Sequence, residues 1–240
     1  MTVQVLCIGD SNTRGEYGVG YAGMVAQRLR DDDVTVTADG VNGEVSYGLL
    51  QRLDPIIEQR PAVITVLIGT NDVWGTLSDA NARLLVKRCQ LPYVPSAPSF
   101  REHLDSIVAR LRTETDARIA VLSPPVLGQD LDSEAVRTGR QFAEIAAEIA
   151  QQHDVDYLPL FEQQYDHLRS NGATPVPLPS GERAWYSAMA QHLLLRRSWD
   201  RIGERRGLLL TTDHVHQNSR GATIIADLVE GYVRNGIRDR

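Results

Sequence analysis

Val3-Gln4-Val5-Leu6-Cys7-Ile8-Gly9-Asp10-Ser11-Asn12-Thr13-Arg14-Gly15 is the stretch from which the fold is read. An apolar, β-branched run from Val3 to Ile8 is followed by a Gly, a small hydroxyl residue and a second Gly. That order is a strand running into a turn, with the Ser11 hydroxyl at the strand's C-terminal edge. In open α/β sheets this edge is where ligands and catalytic side chains gather. A serine there becomes a nucleophile only with a base to take its proton and donors to hold an oxyanion.

Outward from this run the chain alternates between strand and helix patterns. Tyr21 to Arg30 reads as a helix, Val34 to Ala38 as a strand, and Ser46 to Gln59 as a helix with Leu49, Leu50, Leu53, Ile56 and Ile57 at helical spacing. Ala62 to Ile68 is a near-continuous apolar strand expected to be buried on both faces. Phe100 to Arg112 reads as a helix, Arg118 to Leu122 as a strand, and Ser133 to Gln152 as a helix with Ser133 as its N-cap. Val155 to Leu158 is the fifth strand, and Ser219 to Val233 is the last helix. Strands separated by helical crossovers predict an α/β fold: three α/β/α layers around a mostly parallel five-stranded sheet, as one domain over residues 1–240. Neither an internal repeat nor a low-complexity tract interrupts it.

Two segments break the alternation. Residues 73–99 carry Pro92, Pro95 and Pro98, a stretch not expected to be regular. Residues 160–212 form a long insertion, with a Pro/Gly loop from Gly172 to Gly181 and then a helix from Arg183 to Arg205. That helix carries Trp185, Met189, His192, Leu193, Leu195, Trp199 and Ile202 loosely on one side. The first expectation is a packing helix. The second is a lid or acyl-pocket wall, because long insertions in compact domains are often functional.

Composition narrows the classes. With 42% apolar and 23% charged residues, the chain has the make-up of a globular enzyme or binding domain. Its net charge of −6 offers no excess of cations for nucleic-acid phosphates, so no nucleic-acid partner is expected. Lys87 is the only lysine, which removes most lysine-based mechanisms. Cys7 and Cys89 fit neither a disulfide framework nor a zinc motif, and Cys7, inside the first apolar run, is expected to be a buried, inert thiol. The first strand starts at residue 3 and no apolar stretch is long enough to span a bilayer, so the expectation is a cytoplasmic protein with no membrane partner.

Three further segments supply possible partners for Ser11. Asp213-His214-Val215-His216 precedes the last helix, and a His with an Asp three residues upstream can have its imidazole oriented by that carboxylate. Alone, such a pair is more often a set of solvated loop residues. Gly69-Thr70-Asn71-Asp72 follows the third strand, where Asn71 can aim a side-chain N–H at an oxyanion or simply form a turn. Gly40-Val41-Asn42-Gly43 follows the second strand, where a glycine permits close backbone approach to a ligand or, again, a turn.

The blocks Gly9-Asp-Ser-Asn-Thr-Arg-Gly15, Gly43, Gly69-Thr-Asn-Asp72 and Asp213-x-x-His216 resemble, in this order, the four blocks of the SGNH (GDSL-type) hydrolases. Ser123-Pro124-Pro125 after the fourth strand is similar to many of the esterase members. The resemblance covers the chain except for 160–212, which is longer than the family usually needs, and the four blocks show no departure. It implies a flavodoxin-like sheet, a carboxylic ester hydrolase, Ser11 as nucleophile, His216 as general base and Asp213 as its orienter. It also implies an oxyanion hole from the Ser11 N–H, the Gly43 N–H and the Asn71 side chain, with Asp10 structural. Ser11 would attack an ester carbonyl with His216 taking its proton, and water would clear the acyl-enzyme. No cofactor and no metal are expected, and the partner is a small-molecule ester, with short acyl or O-acetyl esters ahead of lysophospholipids. Pocket walls should come from 73–99 and 160–212. Arg14 is expected on the surface, with a charge at the cleft mouth as the alternative.

Other readings fit the sequence less well. Gly18-Val-Gly-Tyr-Ala-Gly23 matches a dinucleotide fingerprint, but about ten residues separate it from the first strand, where the fingerprint should begin. A flexible turn before the first helix is expected there instead. His214 and His216 lack nearby ligands to complete a metal site, and neither G-x-S-x-G nor H-E-x-x-H occurs. An acyltransferase, thioesterase or lysophospholipase could use the same residues. A non-catalytic binding protein on this fold would not require all of Ser11, Gly43, Asn71, Asp213 and His216.

Overall fold

Five parallel strands form one sheet, and helices cover both of its faces; the computed structural model describes residues 2–238. The chain runs through β1 (Val3–Gly9), α1 (Ser11–Arg14), α2 (Tyr21–Arg28) and β2 (Val34–Gly40). α3 (Ser46–Gln51), α4 (Leu53–Glu58), β3 (Val63–Leu67), α5 (Thr70–Thr76) and α6 (Asp79–Arg88) follow. α7 (Ala97–Glu114), β4 (Arg118–Leu122), α8 (Glu134–Gln152) and β5 (Asp156–Leu158) complete the sheet. The last helices are α9 (Leu160–Ser170), α10 (Arg183–Leu195), α11 (Trp199–Arg205) and α12 (Ser219–Arg238).

The strand order is β2-β1-β3-β4-β5, the flavodoxin-like order. β1 is bonded to β2 on one side and β3 on the other, so Ser11 emerges where the winding of the sheet reverses. That point is the ligand crevice of doubly wound sheets. Alternate side chains of β1 enter different layers, as the two-residue period of a strand requires. Leu6 and Ile8 pack with α3, α4, α7 and α8 residues such as Leu49, Ile56, Phe100 and Phe142. Val5 and Cys7 pack on the other face with Tyr21 and Val25 of α2 and Ile225 and Val229 of α12. β3 is buried at every position, as its apolar run predicts. Cys7 is fully buried, and burial pushes its thiol up to about 11, so it is inert near neutrality.

Several expected elements differ in detail, each for a local reason. The helix expected over 46–59 is broken at Arg52 (φ −116°). Pro55 has no N–H, and its ring crowds the carbonyl four residues back, that of Gln51. The break turns the Arg52 guanidinium onto Asp39 at 2.7 Å, Glu44 at 2.8 Å and the Gly9 carbonyl at 3.2 Å, bracing the ends of β1 and β2. Residues 73–99 are more regular than expected. They hold the end of α5 and all of α6, which Ser78 caps by accepting the Asn81 N–H. Pro98 lies in the first turn of α7, where a missing N–H is harmless, behind a Ser96–Ser99 capping box.

The insertion also departs from expectation. α9 is an additional helix that buries Leu160, Phe161, Gln164 and Leu168. The single helix expected over 183–205 is two, because Arg196 takes a left-handed conformation (φ 50°) and Ser198 caps a new start. α10 is not a packing helix. Ala188 is its one buried residue, while Leu193, Leu194 and Leu195 are 65%, 79% and 57% exposed. Three consecutive leucines cannot share one face of a helix, and no neighbouring layer covers this one.

Candidate active site

Asp10 directly follows β1 and caps α1, its carboxylate accepting the Asn12 N–H at 2.9 Å. This turn sets the Ser11 side chain over the sheet edge. The Asp213–His216 loop approaches it from the other end of the chain, just before α12. The Ser11 Oγ lies 3.0 Å from His216 Nε2, and His216 Nδ1 lies 2.8 Å from Asp213 Oδ2. All three residues are buried. The Asp213 Oδ1 also accepts the backbone N–H groups of Val215 at 3.1 Å and His216 at 2.8 Å. Burial pushes the Asp213 carboxyl up, but the His216 charge and these hydrogen bonds outweigh it and hold it below the usual carboxylate range. With Nδ1 facing the Asp213 carboxylate, a proton on that nitrogen leaves Nε2 to accept from Ser11.

Asn71 stands in the first turn of α5 and donates its Nδ2–H to the Glu44 carbonyl at 2.8 Å. The second Nδ2–H remains available to a ligand. Gly43 has φ 74°, a left-handed turn that favours glycine, and a Cβ there would come within 3.2 Å of the Arg88 guanidinium carbon. Ser11, Gly43, Asn71, Asp213 and His216 line one cavity of about 470 Å³. Trp74, Leu84 and Arg88 wall it from one side, and Leu178 to Tyr186 of the insertion wall it from another. Arg88 Nη1 pairs with Glu182 Oε1 at 2.5 Å, joining the two walls. Tyr17 stands edge-on to His216 at 5.3 Å and to Trp185 at 5.1 Å.

Other flagged residues lie elsewhere. Arg14 pairs with Glu16 on the surface. Ser123 is buried, accepting the Phe161 N–H at 2.9 Å and donating to Glu162 at 3.2 Å, so it ties β4 to α9. Gly18 serves close packing rather than a flexible turn: Val19 N–H donates to the Gln217 carbonyl, and a Cβ on Gly18 would meet that oxygen at 2.4 Å. His214 is buried apart from the Ser11 contact, burial lowers its pKa, and no group of three His, Cys, Asp or Glu among the described residues could hold a metal. Tyr17, Arg88 and Glu182 line the site with no local signal in the sequence, and Asp72 is visible there only as the last residue of Gly69-Thr-Asn-Asp72.

A family model for the GDSL-like lipase/acylhydrolase family matches residues 7–224. The chain belongs to that family. As a GDSL-family member it is a carboxylic ester hydrolase. Among solved structures it is similar to an acetylxylan esterase from Geobacillus stearothermophilus, with 17% identity, coverage of 95% of this chain and 92% of that one, and a TM-score of 0.67. It is also similar to the acetyl xylan esterase AlAXEase, with 20% identity, 96% and 100% coverage, and a TM-score of 0.66. A third similar structure is LAE5, an alpha/beta hydrolase enzyme from the metagenome of Lake Arreo, Spain, at 16% identity, 95% and 94% coverage and a TM-score of 0.64. No curated protein sequence matches significantly. At these identities the structural likeness speaks for the fold. Among the described residues no helix is long and apolar enough to cross a membrane.

Proposed function

We propose that this GDSL-family hydrolase cleaves short-chain or O-acetyl esters through an acyl-enzyme on Ser11. The observation that carries the reading is the continuous chain Asp213–His216–Ser11, with links of 2.8 and 3.0 Å. His216 Nε2 takes the Ser11 proton as Oγ attacks the carbonyl carbon, then hands it to the leaving alcohol. Asp213 stabilises the imidazolium that forms in between. The carbonyl oxygen gathers negative charge and is met by the Ser11 N–H, the Gly43 N–H and the free Asn71 Nδ2–H. Water activated by His216 then attacks the acyl-enzyme and regenerates Ser11.

The make-up of the cavity favours a compact acyl group on a polar alcohol. The wall is largely apolar, but Asn42 and the Arg88–Glu182 pair interrupt it, whereas a long aliphatic chain requires a continuous dry groove. Tyr17, Trp74, Trp185 and Tyr186 add flat aromatic surface suited to the apolar faces of a hydroxylated ring. The acetylxylan esterases among the similar structures point the same way. The insertion residues 178–186 are on this reading a pocket wall.

The test is hydrolysis of p-nitrophenyl esters of increasing acyl length by wild type and Ser11→Ala. We expect acetate to be preferred and activity to fall about 10⁴-fold or more in Ser11→Ala, with the fold intact. A rate independent of Ser11 would remove the acyl-enzyme. A preference for chains beyond about eight carbons would contradict the interrupted-wall argument.

A further inference from the structure

Asp72 closes the Gly-Thr-Asn-Asp motif and takes no part in the reaction proposed above. It is 3% exposed, in the first turn of α5. Its Oδ1 accepts the Ser46 hydroxyl at 2.6 Å, and its Oδ2 accepts the Ser46 backbone N–H at 3.0 Å. The preceding residue, Asn71, donates to the Glu44 carbonyl at 2.8 Å. Two successive residues of α5 therefore grip the segment from Glu44 to Ser46 at both ends. That segment follows directly on Gly43. We propose that ionised Asp72 is a positioning residue, holding the Gly43 and Asn71 donors in register with each other across the oxyanion site. The proposal rests on the esterase reading of the Ser11 site.

The grip is itself backed by a second row of groups. Ser46 Oγ–H is committed to Asp72, so toward His103 Nδ1, 3.3 Å away, the same oxygen can only accept. The Tyr93 hydroxyl is also 3.3 Å from that nitrogen. Burial lowers the His103 pKa, so a neutral imidazole with its proton on Nδ1 completes the row. The titratable groups that act on Asp72 or on this row are Asp10 just after β1, Cys89 after α6, Tyr47 and Tyr93, and Glu102 and His103 on α7.

Stability does not explain the carboxylate. Burial pushes Asp72 up to about 6, against the pull of the Ser46 hydrogen bonds and with the help of the nearby Asp10 charge. A carboxyl raised in the folded state adds stability below its unfolded value and loses that contribution as pH rises through the folded one. At neutral pH the ionised Asp72 therefore works against the fold. What its charge provides is two acceptor oxygens for Ser46, available only when it is deprotonated.

The experiment compares kcat and KM for p-nitrophenyl acetate over about pH 5 to 9 in wild type, Asp72→Asn and Ser46→Ala. Asp72→Asn should lose up to about a hundredfold in kcat with little change in KM, as donors drift by a fraction of an ångström. It should also lose the part of the acid-side fall in kcat that Asp72, pushed up to about 6, is expected to add to that of His216, while its neutral-pH Tm does not fall. Ser46→Ala removes one hydrogen bond to the carboxylate and should move that part of the fall to higher pH. It carries the test alone should Asp72→Asn not fold. Hydrolysis that survives Ser11→Ala overturns the esterase reading and this proposal with it. A Ser11-dependent wild type whose kcat and pH profile are unchanged by the Asp72 and Ser46 variants overturns this proposal alone.

Discussion

The two halves of the cavity are built to different standards. On the sheet-edge side Ser11, Asp72, Asp213 and His216 are all at or below 8% exposure, and each is held by at least one short hydrogen bond. On the other side α10 buries a single residue and is tied back through the Arg88–Glu182 pair, the Tyr17–Trp185 contact and the stacking of His192 on Trp199 at 3.9 Å. On the proposed mechanism the chemistry falls on the rigid frame, where small displacements are expensive. The opposite wall is thinly held, so its sequence can change with little cost to the fold.

Substitutions on each side should separate these roles. After Ser11→Ala, the largest effect is expected from Asn71→Ala on the frame: kcat should fall about 100- to 1,000-fold, with Tm nearly unchanged, because one oxyanion donor is lost. A wild-type rate would remove Asn71 from the site. Glu182→Gln on the wall breaks a partly exposed ion pair worth about 0–1 kcal/mol. Its KM for an acetylated sugar should rise up to about fivefold, with kcat for p-nitrophenyl acetate within about twofold. Equal losses in both would mean that the wall positions the reacting groups, and the contrast would collapse. The smallest effect belongs to Leu194→Gln, at 79% exposure, which should shift Tm by less than about 2 °C. A larger drop, followed by differential scanning fluorimetry, would show that α10 is more tightly built than its burial implies.

The same division governs what could be read from the sequence. β1, β3 and β4 were legible because buried parallel strands are apolar runs, and α8 because Ser133 caps a strongly periodic segment. Ser11, Asn71, Asp213 and His216 stand out in the sequence because they follow strands or precede the last helix, and the fold brings all four to one cavity. α6 and α9 were not, since prolines and glycines nearby masked their spacing. Arg88 meets Glu182 and Asp72 meets Ser46 only through the tertiary fold, and no local pattern announces either meeting. Arg196 illustrates the remaining difficulty: the turn that splits the insertion falls on a residue with no turn preference.

The bond between Ser11 and His216 joins residues 205 positions apart. Neither β1 nor the loop before α12 can test the other until nearly everything between them has found its place, and such distant closures form late. On the proposed mechanism, hydrolysis is then a report on complete assembly. Refolding followed by esterase activity should lag behind refolding followed by helical signal, and a chain that has gathered its sheet without seating α12 would be compact yet silent.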